Sequence, residues 1–223
     1  MSKQYVVIGL GEFGKNLAKY LQDMGNEVLA IDASESTVQS LSSDLTYVVR
    51  ADATSQEALE ALGVKNFDVA IVSVGGQDVQ ASILISLILK DMKIPMIVAR
   101  ASSGLHGRVL EKIGVNLVIY PEKEMALGLA KRLTMPNVVE KAVVAGNYKI
   151  YEIKTPAAFK DKSLEELKLN KRYEMTVMLI KDAEDKIEFP SAQTILNEGE
   201  TMIVLSTDEG MKSFSEDNND GDI

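Results

Sequence analysis

The run from Tyr5 to Asp32 constrains the fold more than any other stretch of the chain. Tyr5-Val6-Val7-Ile8 is short, apolar and β-branched, the composition of a strand covered on both faces. It enters Gly9-Leu10-Gly11-Glu12-Phe13-Gly14, after which Leu17, Ala18, Tyr20 and Leu21 recur at helical spacing. Gly25-Asn26 stops that helix, Glu27 to Ile31 makes a second strand, and Asp32 closes it. A GxGxxG turn alone is a weak signal. With a strand before it, a helix after it and an acid ending the next strand, it predicts a nucleotide site. One glycine serves the sharp turn, one lets backbone approach phosphate, and one lets the helix pack on the strand. The helix start offers free N–H groups and a positive dipole end to an anion. Asp32 lies 18 residues beyond Gly14, near the ~20-residue offset of the acid that accepts ribose hydroxyl hydrogen bonds. If the glycines served packing alone, that acid would have no explanation.

The alternation continues. Helices are expected over Ser34–Leu41, with Ser34 as N-cap, then Ser55–Leu62, Val79–Lys90 and Leu105–Ile113. Strands are expected at Tyr47–Val49, Asp68–Val72, Met96–Ala99 and Leu117–Ile119. Six strands alternating with helices specify an α/β fold with a Rossmann-like, doubly wound parallel sheet. Ligands of such sheets lie over the carboxyl ends of the strands, which puts Asp32, Asp52, Gly75 and Arg100 on one rim with the glycine turn. A connector helix follows from Pro121 to Met135, and Pro136-Asn137 breaks it. Beyond Ala142 short β-rich runs take over. Lys149 to Lys154 alternates as a half-exposed strand does, Ser163 to Leu167 carries a capping box, and further strands lie at Thr176–Ile180 and Thr201–Leu205. Two domains are expected, 1–137 and 138–214 (the second small and α+β), with a disordered acidic tail over 215–223.

Composition narrows the function. A net charge of −9 argues against a general nucleic-acid surface. The absence of cysteine excludes disulfides, thiol catalysis and cysteine metal sites. The most apolar stretch, Ile83 to Leu89, is far short of the ~20 residues of a membrane span, so a membrane role would need a partner.

A small NAD(P)-dependent oxidoreductase is the enzyme alternative, and it needs an acid or base near the nicotinamide. The single histidine, His106, starts a helix on the ligand rim, where it is either such a base or a surface residue beside the nucleotide. Arg100 at a strand end suits phosphate. Asp52 suits the adenosine or caps the helix that begins near Ser55. Glu122 and Glu124 open the connector helix, where dipole complementarity alone accounts for acids.

Several motifs together resemble the regulatory subunits of bacterial Ktr/Trk potassium-uptake systems, which are RCK-domain proteins. They are the Gly9–Gly14 turn with Asp32, the Ala51-Asp52-Ala53-Thr54 loop, and Val109-Leu110-Glu111-Lys112-Ile113-Gly114 followed by Tyr120-Pro121-Glu122-Lys123-Glu124. The resemblance covers about the first 210 residues. It implies a cytoplasmic, non-catalytic subunit that forms a homo-oligomeric ring, typically an octamer, beneath a membrane potassium-translocating subunit. It implies ATP or ADP, or in some members NAD(H), as the ligand of the first domain. By matching position that ligand would touch Gly9, Gly11, Glu12, Phe13 and Gly14, then Asp32, Ala33 and Ser34, and Asp52 with Ala53. It would also touch Val74, Gly75 and Gly76, then Arg100, Ala101, Ser102 and His106. In some members the glutamate matching Glu122, from a neighbouring subunit, binds a divalent cation.

Two departures stand out. Ktr subunits commonly carry arginine where this chain has Glu12, so a weaker preference for ATP over ADP, or cation-dependent ATP binding, is expected. Relatives that bind cyclic di-AMP carry an arginine shortly before a lysine–tyrosine pair. Here Leu169-Asn170-Lys171-Arg172-Tyr173 puts Asn170 at that position.

Overall fold

The computed structural model describes residues 3–74, 78–135 and 137–218. The chain forms two compact units, Met1–Glu124 and Met125–Ile223.

The first unit runs β1 (Gln4–Ile8), α1 (Glu12–Asp23), β2 (Glu27–Asp32), α2 (Glu35–Leu41), β3 (Tyr47–Arg50), α3 (Gln56–Ala61), β4 (Val69–Val72), α4 (Val79–Asp91), β5 (Met96–Arg100), α5 (Gly104–Ile113), β6 (Leu117–Ile119) and the start of α6 (Pro121–Thr134). Its six strands are parallel in the order β3-β2-β1-β4-β5-β6. That is the doubly wound order, with its switch point between β1 and β4. Side chains alternate across the sheet. Val6 and Ile8 of β1 join a core with Ile85, Leu89 and Leu110, while Val7 joins the opposite core with Ala18 and Leu41. Burial on both faces is why β4, and β1 from Tyr5 onward, are apolar.

The second unit holds the rest of α6, then β7 (Val138–Ala145), β8 (Tyr148–Lys154), α7 (Leu164–Leu167), α8 (Leu169–Tyr173), β9 (Thr176–Lys181), β10 (Ile187–Glu188), β11 (Thr201–Thr207) and α9 (Asp208–Asn218). Its five strands are antiparallel in the order β10-β9-β11-β8-β7. Tyr151, Ile153, Ile180, Met202 and Val204 face Phe159, Leu167, Tyr173, Met211 and Phe214 in one core. The capping box at Ser163 and Glu166 is formed.

Two expectations differ from this structure. The compact units divide after Glu124, inside α6, whereas the sequence suggests a division after Asn137; α6 has no buried residue, so its packing gives it wholly to neither side. Residues 215–218, expected in the tail, are the last turn of α9. Ser215 is buried there, and Asp217 accepts from the Tyr173 hydroxyl at 2.9 Å. Residues 219–223 lie outside the described residues.

Candidate functional site

The three glycines of the turn meet three different constraints. Gly9 has φ +91°, a left-handed conformation, and a Cβ there would lie 2.7 Å from Val74 Cγ2. A Cβ on Gly14 would lie 2.0 Å from the Gly9 carbonyl oxygen, so only glycine lets α1 sit this close to the turn. Gly11 meets nothing within 4 Å. The protein itself does not need glycine there; bare backbone facing a cleft leaves room for something to approach. Gly11 is also the N-cap of α1, and no side chain caps that helix end.

Asp32 is fixed across the turn. Its Oδ2 accepts the Leu10 N–H at 2.7 Å and its Oδ1 accepts the Ser34 N–H at 2.8 Å. The Gly9 N–H donates to the Ile31 carbonyl and the Ser73 N–H to the Ile8 carbonyl, each at 2.8 Å, so β1, β2 and β4 hold the turn together. A carboxylate with one donor on each oxygen keeps acceptor capacity for a further pair of hydroxyls.

The turn and Asp32 open on a cleft of about 380 Å³ over the carboxyl ends of the strands, within the size range of small-molecule sites. Among the described residues it is lined by Gly9, Gly11, Asp32, Ala33, Asp52, Ala53, Val74 and Arg100 of those expected. Asp52 does not cap α3, which Ser55 does. Its Oδ1 instead accepts the Thr54 hydroxyl at 2.6 Å and the Thr54 N–H at 2.9 Å, and these bonds hold its carboxyl below the usual range. Gly75 and Gly76 lie outside the described residues.

Phe13, Gly14, Ser34, Ala101 and Ser102 do not line the cleft, although Gly14 and Ser34 shape it through the contacts above. His106 differs from its expected surface position: it is 3% exposed. Its Nδ1 accepts the Ser102 N–H at 3.2 Å, and burial lowers its pKa, so the ring is neutral near pH 7. Glu12 turns outward at 85% side-chain exposure and pairs with Lys15 one turn on. Glu122 pairs with Arg100 of its own chain. Its own backbone N–H first, and Arg100 as well, hold its carboxyl below the usual range. Among the described residues no group of three His, Cys, Asp or Glu side chains is placed to hold a metal ion.

Three polar wall residues escaped the sequence. Asp78 caps α4 by accepting the Ala81 N–H at 2.9 Å, and an acid just before an apolar helix was the available signal. Ser73 puts a buried, unpartnered hydroxyl into the wall, and Thr54 orients Asp52; nothing local marked either. The second unit has its own cleft of about 460 Å³, beside Lys168, Asn170, Met175 and Pro190. There the Asn170 side-chain amide donates to Thr176 Oγ1 at 3.3 Å.

The first unit, residues 5–121, matches the TrkA-N domain family, and residues 149–217 match the TrkA-C domain family. The chain is 36% identical to Ktr system potassium uptake protein A of Bacillus subtilis over 96% of both chains. It is 31% identical to Ktr system potassium uptake protein C of the same organism, again over 96% of both. Among solved structures it resembles the GsuK RCK domain, with a TM-score of 0.61 at 16% identity, over 97% of this chain and 47% of that one. It likewise resembles the GsuK channel bound to NAD (TM-score 0.61, 16% identity, 96% of this chain and 39% of that one). GsuK bound to ADP matches over 61% of this chain and 36% of that one, with a TM-score of 0.54 at 17% identity. A two-domain match and full-length identity of this order leave one assignment: the chain belongs to the RCK-domain regulatory subunits of Ktr/Trk potassium-uptake systems.

Proposed function

We propose that this protein is the nucleotide-sensing subunit of a potassium-uptake channel or transporter and that it carries no catalysis of its own. The observation that carries this proposal is Asp32, held by the Leu10 and Ser34 N–H groups across a glycine turn at the switch point of the sheet. An adenine nucleotide, ATP or ADP, or NAD(H), sets its ribose hydroxyls on Asp32 and its phosphates at Gly11 and the uncapped start of α1. NAD and ADP in structures of the same fold support that ligand class. The nucleotide is an effector rather than a substrate. It must therefore bind two conformations with different affinity, because equal affinity shifts no equilibrium.

Potassium as the cargo rests on the relatives' names, and so does the membrane-embedded partner. No helix among the described residues is long and apolar enough to cross a membrane, which suits a subunit held at the inner face of the cell membrane through that partner. Assembly is supported by α6, where Met125, Leu127, Leu129 and Leu133 are each more than half exposed. Apolar side chains on a helix without a buried residue are covered in a homo-oligomer, expected to be an octameric ring. Size-exclusion chromatography with light scattering, run with and without ADP, ATP and NADH, tests this. A ring whose dimensions respond to nucleotide is expected. A monomer or dimer that turns over nicotinamide would replace it with an oxidoreductase.

A further inference from the structure

Asp32, Gly9, Ser73 and Arg100 stand in one row at the carboxyl ends of four neighbouring strands. The last paired residues there are Ile31 with Ile8, Ile8 with Val72 and Val72 with Ala99, and these four are the residues that follow. The row is sorted by chemistry. Asp32 offers acceptors on one side of the glycine turn, and Ser73 and Arg100 offer donors on the other. Ser73 is the odd member. It is 4% exposed and follows four buried apolar residues of β4. Its N–H is already spent on the Ile8 carbonyl, and its Oγ has no partner among the described residues. A hydroxyl shut away from solvent in this manner destabilises the fold unless something bonds it.

Its position says what that partner is. A Cβ on Gly14 would lie 2.9 Å from Ser73 Oγ, so the hydroxyl sits beside the first turn of α1. That helix end has no side-chain cap, and Ser73 lines the cleft onto which it opens. We propose that Ser73 is a phosphate-binding residue, whose hydroxyl donates to a phosphate oxygen of the nucleotide seated at the start of α1. A serine hydroxyl turns about a single bond between staggered rotamers, so it reaches the ligand while the backbone stays pinned to Ile8. The hydroxyl is thus a ligand group retained at the expense of the unliganded fold. The proposal rests on the cleft being a nucleotide site. It assigns the phosphates to the β4 side of the turn, as Asp32 assigns the ribose to the β2 side.

The test is calorimetric titration of ADP and of adenosine into the full-length wild type and Ser73→Ala, with chemical denaturation of both proteins without ligand. Ser73→Ala is expected to bind ADP about ten-fold more weakly, which corresponds to about 1.4 kcal/mol, near the lower end for a hydrogen bond to a charged group. Its adenosine affinity is expected to be unchanged. The unliganded variant is expected to be at least as stable as the wild type, because the deleted hydroxyl has no partner to lose. Equal ADP affinity in the two proteins overturns the phosphate contact and leaves the nucleotide-site assignment standing. An equal loss for ADP and adenosine, or a variant less stable than the wild type, also overturns it, since either result gives the hydroxyl to the protein's own packing. Failure of the wild type to bind ADP overturns both proposals.

Discussion

In the first unit the carboxylates around the glycine turn are held by backbone N–H groups; in the second, the carboxylates around Asp208 are held by lysines. Asp32 takes the N–H groups of Leu10 and Ser34, Asp52 that of Thr54, and Asp78 that of Ala81. Such donors are fixed by the path of the chain, so each carboxylate stays aimed and keeps unused lone pairs. Asp208 instead receives Lys149, Lys131 and the Tyr151 hydroxyl, and Glu140 receives the same two lysines. Two ammonium groups cancel two carboxylates there, and a tyrosine takes up further acceptor capacity. Bonding to Lys149 above all pulls the Asp208 carboxyl down to about 2, and burial first, with Asp208 second, pushes the Tyr151 hydroxyl up. On the proposed function, the same residue type is a ligand group where the backbone holds it and a structural clamp where side chains do.

The most direct way to break this comparison is Asp208→Ala. It removes the partner of two lysines and one tyrosine at the start of α9, so stability should fall by about 2 kcal/mol, about 1 for the screened lysine pairs together and about 1 for the Tyr151 hydrogen bond. ADP affinity of the folded protein should not change. Chemical denaturation with a parallel titration checks both, and a loss of affinity without a loss of stability would reverse the roles assigned to the two sets of acids.

Asp32→Ala is the converse. A charged acceptor for ribose hydroxyls is lost, which should cost about 2 kcal/mol of binding, or roughly thirty-fold in ADP affinity. Unchanged affinity in a folded variant would remove Asp32 from the ligand site.

Acid should act mainly on the second unit. Asp208 and Glu140 both titrate below their ordinary values in the folded protein. The unfolded chain therefore takes up their protons first, and the stability they supply is complete above about pH 5 and lost on descent toward pH 2. Asp208 is about half exposed (53%), so solvent screening limits its share to about 1 kcal/mol. Hydrogen exchange of the β8 and α9 amides between pH 5 and 2.5 should show protection falling. Flat protection would mean that the lysine pairs contribute nothing net.

The smallest effect is expected at Glu12, which faces solvent with Lys15 beside it. Glu12→Arg should tighten ATP about two- to three-fold without divalent cation and leave ADP nearly unaltered, because a surface charge acts weakly across water. Equal changes for both nucleotides would detach Glu12 from the terminal phosphate.

Much of this was legible in the sequence because its signals are local. The alternating periods of strand and helix, the glycine spacing and the acid at the end of β2 are each written within a few residues, and all six parallel strands follow from them. The side chains of the cleft were less legible. The sequence left His106 as a catalytic base or a surface residue, yet α5 packs it at 3% exposure, a matter of which helix face turns inward. Residues 215–218 looked like acidic tail because the run beyond Phe214 is acidic and polar. Asp217 finds its partner in Tyr173, 44 positions earlier.

By itself, then, the sequence determined the doubly wound sheet, the place of the glycine turn and the position of Asp32 at the end of β2, since short-range periodicity and spacing specify them. The tertiary structure alone decided that Arg100 meets Glu122, 22 positions away, and that Lys131, Glu140, Lys149 and Asp208 close into one cluster. Ion pairs between distant residues leave no period in a sequence. They exist only once the backbone has brought their ends together, and partner choice among many charged side chains is settled by that geometry.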